Sequence, residues 1–121
     1  MALLPDGSAL ITERPGPLKQ NKNGALTEVT GIPEVSAEGQ GGLLDVAISP
    51  DFKRSRTVYL SYAEPREGGN GTTVARMQLA EDGASVDNVI VLFRQQPTYD
   101  GDLHFGSRIV PNPDGTLFVT L

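Results

Sequence analysis

The sequence has no cysteine and no tryptophan, a single histidine, and aromatic residues at only 6% of its 121 positions. Without cysteine there can be no disulfide frame and no thiolate metal centre. One histidine supplies too few nitrogen donors for a conventional internal zinc site. No stretch approaches the ~20 consecutive apolar residues of a membrane-crossing helix. A basic block is missing too. The 10 Lys and Arg are outnumbered by 15 Asp and Glu, leaving a formal charge of −5, which argues against nucleic acid as a partner because phosphate neutralisation needs clustered cations. The opening Met1-Ala2-Leu3-Leu4-Pro5-Asp6-Gly7 lacks the basic start and apolar segment of an export signal.

What the chain has in quantity is backbone punctuation, with 14 Gly and 9 Pro. Each such residue inside a helix costs roughly 1 to 3 kcal/mol, so a helical bundle is excluded. The hydrophobic share of 38% with 21% charged residues suits one folded domain over residues 1–121. Short runs rich in Val, Ile, Leu, Thr and Tyr, bounded by Gly, Pro, Asn or Asp, predict strands at Ala9–Glu13, Ala25–Thr30, Leu43–Ile48, Thr57–Tyr62, Thr72–Gln78, Asn88–Phe93, His104–Val110 and Thr116–Leu121. Val86, Val89, Ile90 and Phe93 also fit a helical face. The run is nonetheless short and β-branched, so strand is preferred. The alternation in Thr72–Leu79 suits a strand with one wet face. Asn70-Gly71 is the expected hairpin turn before it, and Asn70-Gly71-Thr72 also matches a glycosylation sequon.

One unit recurs. Pro5-Asp6-Gly7-Ser8-Ala9-Leu10-Ile11-Thr12 aligns without a gap on Pro113-Asp114-Gly115-Thr116-Leu117-Phe118-Val119-Thr120, and a looser copy begins at Pro50-Asp51. A repeated turn and strand in an all-β chain points to antiparallel β-propeller blades. At about 40 to 50 residues per blade, the chain holds two to three, an incomplete propeller. Thr116–Leu121 is an apolar strand with no turn after it, and the first residues read as a strand end entering a turn. The expectation is a larger fold cut at both ends, with open strand edges through which the chain self-associates.

Two places could carry chemistry. His104 sits in Asp102-Leu103-His104-Phe105-Gly106-Ser107-Arg108; an imidazole can take a proton from a substrate hydroxyl, but from composition alone a partly buried histidine hydrogen-bonded at a strand start is the favoured reading. Glu38-Gly39-Gln40-Gly41-Gly42-Leu43-Leu44-Asp45 sets one amide, able to donate and accept, among three glycines. It lacks the Lys and Ser/Thr of a phosphate loop. Asp45 either points inward or faces solvent. Asp100 and Asp102 lack the further ligands of a calcium loop. Arg14-Pro15-Gly16, Lys19 and Lys22 read as a solvated turn, and Glu64-Pro65-Arg66-Glu67-Gly68-Gly69 as a charged loop.

Taken together, five motifs in order resemble the glucose/sorbosone dehydrogenase family, specifically its soluble pyrroloquinoline-quinone-dependent aldose sugar dehydrogenases. They are Leu4–Gly7 running to Thr12–Gly16, Gly39–Ala47, Val58–Tyr62, Phe93–Pro97 and His104–Arg108. The resemblance implies part of a six-bladed β-propeller that oxidises the anomeric hydroxyl of an aldose to a lactone, with hydride passing to the quinone. It implies that His104 is the general base and that Gln40 contacts the cofactor. Leu103 stands where the glucose dehydrogenase branch has Asp, so the broader aldose branch is the nearer likeness. By the same resemblance, the cations that polarise the quinone and the calcium ligands lie C-terminal to Leu121. This leaves no metal ligand among these residues and leaves the isolated chain inactive. The parent protein is expected to be periplasmic or secreted and to use an external electron acceptor. The alternative is a non-catalytic propeller segment that binds carbohydrate or protein.

Overall fold

The computed structural model describes residues 1–121. Strands β1 (Ala2–Leu3), β2 (Ala9–Thr12), β3 (Leu18–Lys22) and β4 (Ala25–Val29) form one antiparallel meander. A second runs through β5 (Leu43–Ile48), a one-turn helix α1 (Phe52–Ser55), β6 (Thr57–Arg66), β7 (Gly69–Leu79) and β8 (Val86–Arg94). A hairpin of β9 (Ile109–Pro111) and β10 (Leu117–Val119) follows. Successive sheets meet through their first strands, with β5 against β1 and β2, and β9 against β5 and β6. This is an all-β chain of two four-stranded propeller blades and the opening hairpin of a third.

The two-residue period of a strand decides what each face buries. Val58, Leu60 and Tyr62 of β6 and Ala75, Met77 and Leu79 of β7 face the first sheet, where Leu4, Leu10, Leu18 and Val29 meet them. On the other face, Ala47 and Val74 pack on Ile109, with Tyr59, Leu117 and Val119 alongside. Burying each of the larger aliphatic chains contributes about 1.5 to 3 kcal/mol. Because the second sheet is covered on both faces, β7 is buried from Asn70 through Ala75, and only Arg76 and Gln78 reach solvent. The expectation of one wet face holds for Arg76–Leu79 and is corrected for Thr72–Ala75, which are buried on both faces.

The repeated turn is the same object twice. Gly7 N–H donates to Leu4 O at 3.0 Å and Leu4 N–H to Ser8 O at 2.8 Å; the second copy has Gly115 to Asn112 at 3.1 Å and Asn112 to Thr116 at 2.8 Å. The Oδ1 atoms of Asp6 and Asp114 each accept the amide two residues on, at 2.9 Å, and its hydroxyl at 2.6 Å. These bonds favour the ionised form and hold both carboxyls below the usual range. At the third copy the chain instead makes α1, and Asp51 Oδ1 accepts Ser49 Oγ at 2.5 Å and Ser55 Oγ at 2.8 Å.

Four more expectations change. The hairpin turn falls at Glu67-Gly68, not Asn70-Gly71: Arg66 pairs Gly69, and Asn70 is a buried strand residue opposite Pro65. Gly68 and Gly69, at φ +79° and +144°, supply the turn, in a register that keeps Val58, Leu60 and Tyr62 on the core face. Glu64–Arg66 is therefore strand, not loop. Lys19 and Lys22 lie on β3 rather than in a turn. Finally, His104–Val110 is not one strand. Regular structure begins at Ile109, and His104 has φ +63°. The segment with two readings, around Val86–Phe93, is strand β8.

Candidate functional site

Two loops that lead into first strands come together. One is Gly39–Gly42 before β5; the other links Arg94 to Ile109 before β9. Their meeting is specific. Gln40 N–H donates to Asp102 O at 2.7 Å, and His104 N–H donates to Gln40 Oε1 at 2.9 Å. The two residues singled out in the sequence, 64 positions apart, are thus hydrogen-bonded neighbours. The bond also holds His104 in the left-handed region, a conformation that costs a non-glycine residue about 1 to 2 kcal/mol. Both side chains are exposed.

The first loop is shaped by a side chain that looked like surface. Arg14, in the turn between β2 and β3, donates from Nη1 to Gly39 O at 2.5 Å, Ala37 O at 3.2 Å and Gly41 O at 3.3 Å. Its own carbonyl accepts Leu43 N–H at 3.0 Å. Gly42, at φ +133°, passes so close that an added Cβ would strike the Arg14 carbonyl oxygen. Glycine is required there by conformation and by contact.

The far end of the second loop is tied to the second sheet. Asp45, whose direction the sequence left open, points inward: it is 7% exposed, and Oδ2 accepts Ile109 N–H at 2.9 Å. Asp45 N–H donates to Ser61 Oγ at 3.0 Å, and that hydroxyl donates to Ser107 O at 2.7 Å. Thr120 Oγ1 accepts Arg108 N–H at 3.0 Å. Of these, only a carboxylate amid Leu44-Asp45-Val46 gave a signal in the sequence. Ser61 and Thr120 looked like ordinary strand residues.

A cleft of about 380 Å³ opens beside His104, lined by polar side chains including Asn70, Gln95 and Gln96 and by the rings of Tyr99 and Phe105. Gln40 Oε1 is engaged by His104, while its Nε2 makes no hydrogen bond within the chain. Gln40 lies on the adjoining loop and does not itself line this cleft; its amide donor and the exposed His104 imidazole are both open to solvent. No group of three or more His, Asp or Glu side chains is arranged to hold a metal ion. No helix is long and apolar enough to cross a membrane.

Comparison with known proteins matches residues 1–121 to the family model "Glucose / Sorbosone dehydrogenase". The chain is 42% identical over 125 residues to the aldose sugar dehydrogenase YliI of Escherichia coli, covering 100% of the chain and 34% of that protein. It superposes on the crystal structure of the soluble aldose sugar dehydrogenase from Escherichia coli in the apo form with a TM-score of 0.92 at 43% identity, covering 99% of the chain and 36% of the other. With the PQQ-bound form of aldose sugar dehydrogenase from Streptomyces coelicolor the TM-score is 0.81 at 32% identity, over 96% of this chain and 35% of that one. The chain spans about a third of the length of these relatives.

Proposed function

The chain belongs to the glucose/sorbosone dehydrogenase family, and from that premise we propose that it is part of a quinoprotein that oxidises the anomeric hydroxyl of aldose sugars to lactones. The observation that supports the reading is the hydrogen bond from the His104 backbone N–H to Gln40 Oε1, which ties the loop bearing the imidazole to the loop bearing the amide. His104 is the general base: its imidazole takes the proton of the anomeric hydroxyl. Gln40 directs its Nε2 donor to the cofactor while Oε1 holds the base in place. Pyrroloquinoline quinone, when bound, supplies the acceptor for the hydride that leaves the sugar carbon. An external electron acceptor completes the cycle.

Calcium enters this reading as a partner held by residues other than these, and export to the periplasm or beyond belongs to it as well. The 121 residues alone supply a base and one cofactor contact. Stabilising a transition state needs the rest of the constellation, so this chain by itself is expected to be inactive. The test is dye reduction by aldose and quinone in a protein extended to the length of its relatives. The His104→Gln variant should lose about 100- to 10,000-fold in kcat, the range of general base catalysis. An undiminished rate removes the catalytic role.

A further inference from the structure

The loop that presents His104 begins at a half-buried ion cluster. Glu64 on β6 has a side chain 18% exposed. Arg94, the last residue of β8, grips it with both arms, Nε to Oε2 at 2.8 Å and Nη2 to Oε1 at 2.9 Å. Thr73 Oγ1 donates to Oε2 at 2.9 Å and Arg66 Nε to the same oxygen at 3.1 Å. These partners hold the Glu64 carboxyl down to about 2, so it is charged at any working pH.

Arg66 does not stop at the carboxylate. Its Nη2 donates to Thr73 Oγ1 at 2.8 Å, and its Nη1 donates at 2.6 Å to the carbonyl of Gln95, the first loop residue after β8. The Arg66 side chain is 11% exposed, and its guanidinium lies where a Cβ on Gly71 would meet it. From Gln95 onward the loop is fastened at intervals. Gln95 N–H donates to Thr72 O at 2.9 Å, Asn70 and Tyr99 exchange backbone bonds at 3.0 and 2.9 Å, and Asn70 Nδ2 donates to Gly101 O at 2.7 Å. The Gln40 contacts at Asp102 and His104 complete the series.

Charge-assisted bonds from a planar, doubly anchored guanidinium are directional, and they restrict the peptide they hold more than neutral bonds do. We propose that Glu64 and Arg66 are positioning residues for His104: the carboxylate sets the guanidinium, and the guanidinium sets the peptide from which the imidazole-bearing loop departs. For catalysis the proposal rests on His104 being the base. Its structural half does not.

The test uses the fact that His104 is the only histidine, so the labelled chain gives one imidazole Cε1–Hε1 cross-peak. Glu64→Gln removes the anchoring charge, and Arg66→Lys keeps a charge for Glu64 while losing the fork. Gly71→Ala keeps every charged group but displaces the guanidinium, and it serves if the other variants fail to fold. The expected result is a shifted or split His104 cross-peak and a moved His104 amide in each folded variant, with the Leu10 and Leu18 amides of the first sheet unchanged. Lys19→Ala, which breaks the ion pair to Glu13, should leave the His104 signals in place. In the extended protein, kcat should fall about 10- to 100-fold with KM within twofold, the signature of a misplaced base. Unmoved His104 signals in folded Gly71→Ala and Arg66→Lys overturn the proposal. Moved signals together with full activity of His104→Gln leave positioning intact and overturn the enzymatic reading instead.

Discussion

Gln40 Oε1 accepts the backbone N–H of His104 at 2.9 Å, so one side chain serves two ends. Its oxygen holds a left-handed backbone in place, and its nitrogen stays available to a ligand. These functions separate in a single substitution. Gln40→Glu keeps an oxygen for His104 and replaces the free amide donor with a carboxylate. The expected outcome is an unchanged His104 amide shift and a loss of pyrroloquinoline quinone affinity of roughly tenfold or more, as repulsion replaces a donated hydrogen bond. Fluorescence titration in the extended protein measures this, and equal affinity in the variant would contradict the assignment of Gln40 to the cofactor.

Acid should destabilise the fold through Glu64. A carboxyl whose pKa falls on folding contributes its full stability above the unfolded value, here the ordinary 4.5, and loses it as pH drops toward the folded value of about 2. The whole shift corresponds to about 3 kcal/mol at most. Arg94 is half exposed, so screening reduces the measurable part to about 1 to 2 kcal/mol. Urea melts between pH 5 and 2 should show that slope, and Glu64→Gln should flatten it. Parallel slopes in both proteins would assign acid sensitivity to other carboxylates.

Two glycines separate conformation from contact. Gly7 (φ +85°) has open space where a Cβ would go, whereas Gly42 (φ +133°) has the Arg14 carbonyl there. Gly7→Ala should cost about 1 kcal/mol in conformational strain alone. Gly42→Ala should cost more than about 2 kcal/mol and loosen the loop that carries Gln40. Chemical denaturation compares them; equal losses would mean that the Arg14 turn yields easily.

Self-association is expected of the chain on its own. A groove of about 300 Å³ lined by Val74, Leu92, Phe93, Leu117, Val119 and Leu121 is wholly apolar, and Phe118 is 70% exposed. It lies between the second sheet and a third that has only two strands, beside an unpaired edge. Light scattering across a concentration series should show growing oligomers against the opposing charge of −5. A monomer at every concentration would show that the edge is self-protected.

Local sequence determined much of this molecule. The Asp-Gly turns could be read because each is closed by its own residues, Asp6 on Ser8 and Asp114 on Thr116, with no help from the rest of the chain. Most strands followed from period-two patterning and β-branched runs, and the blade architecture from recurrence of the turn, but β3, Leu18–Lys22, is too polar to have been legible. The family motifs singled out Gln40 and His104, whose loops the structure joins by a hydrogen bond, although spacing alone left His104 open to a purely structural role.

Tertiary structure decided the remainder, because the deciding partners lie far away along the chain. Asn70-Gly71 satisfies every local rule for a hairpin, yet the register that buries Val58, Leu60 and Tyr62 moves the turn to Gly68 and puts Asn70 under the His104 loop. Arg14 and Arg66 look like solvated cations until the backbone carbonyls of Gly39 and Gln95 fold against them. The same holds for Asp45, whose inward direction is set by Ile109, 64 residues on. A side chain's composition tells what bonds it can make. Only the closed sheets determine which of those bonds are within reach.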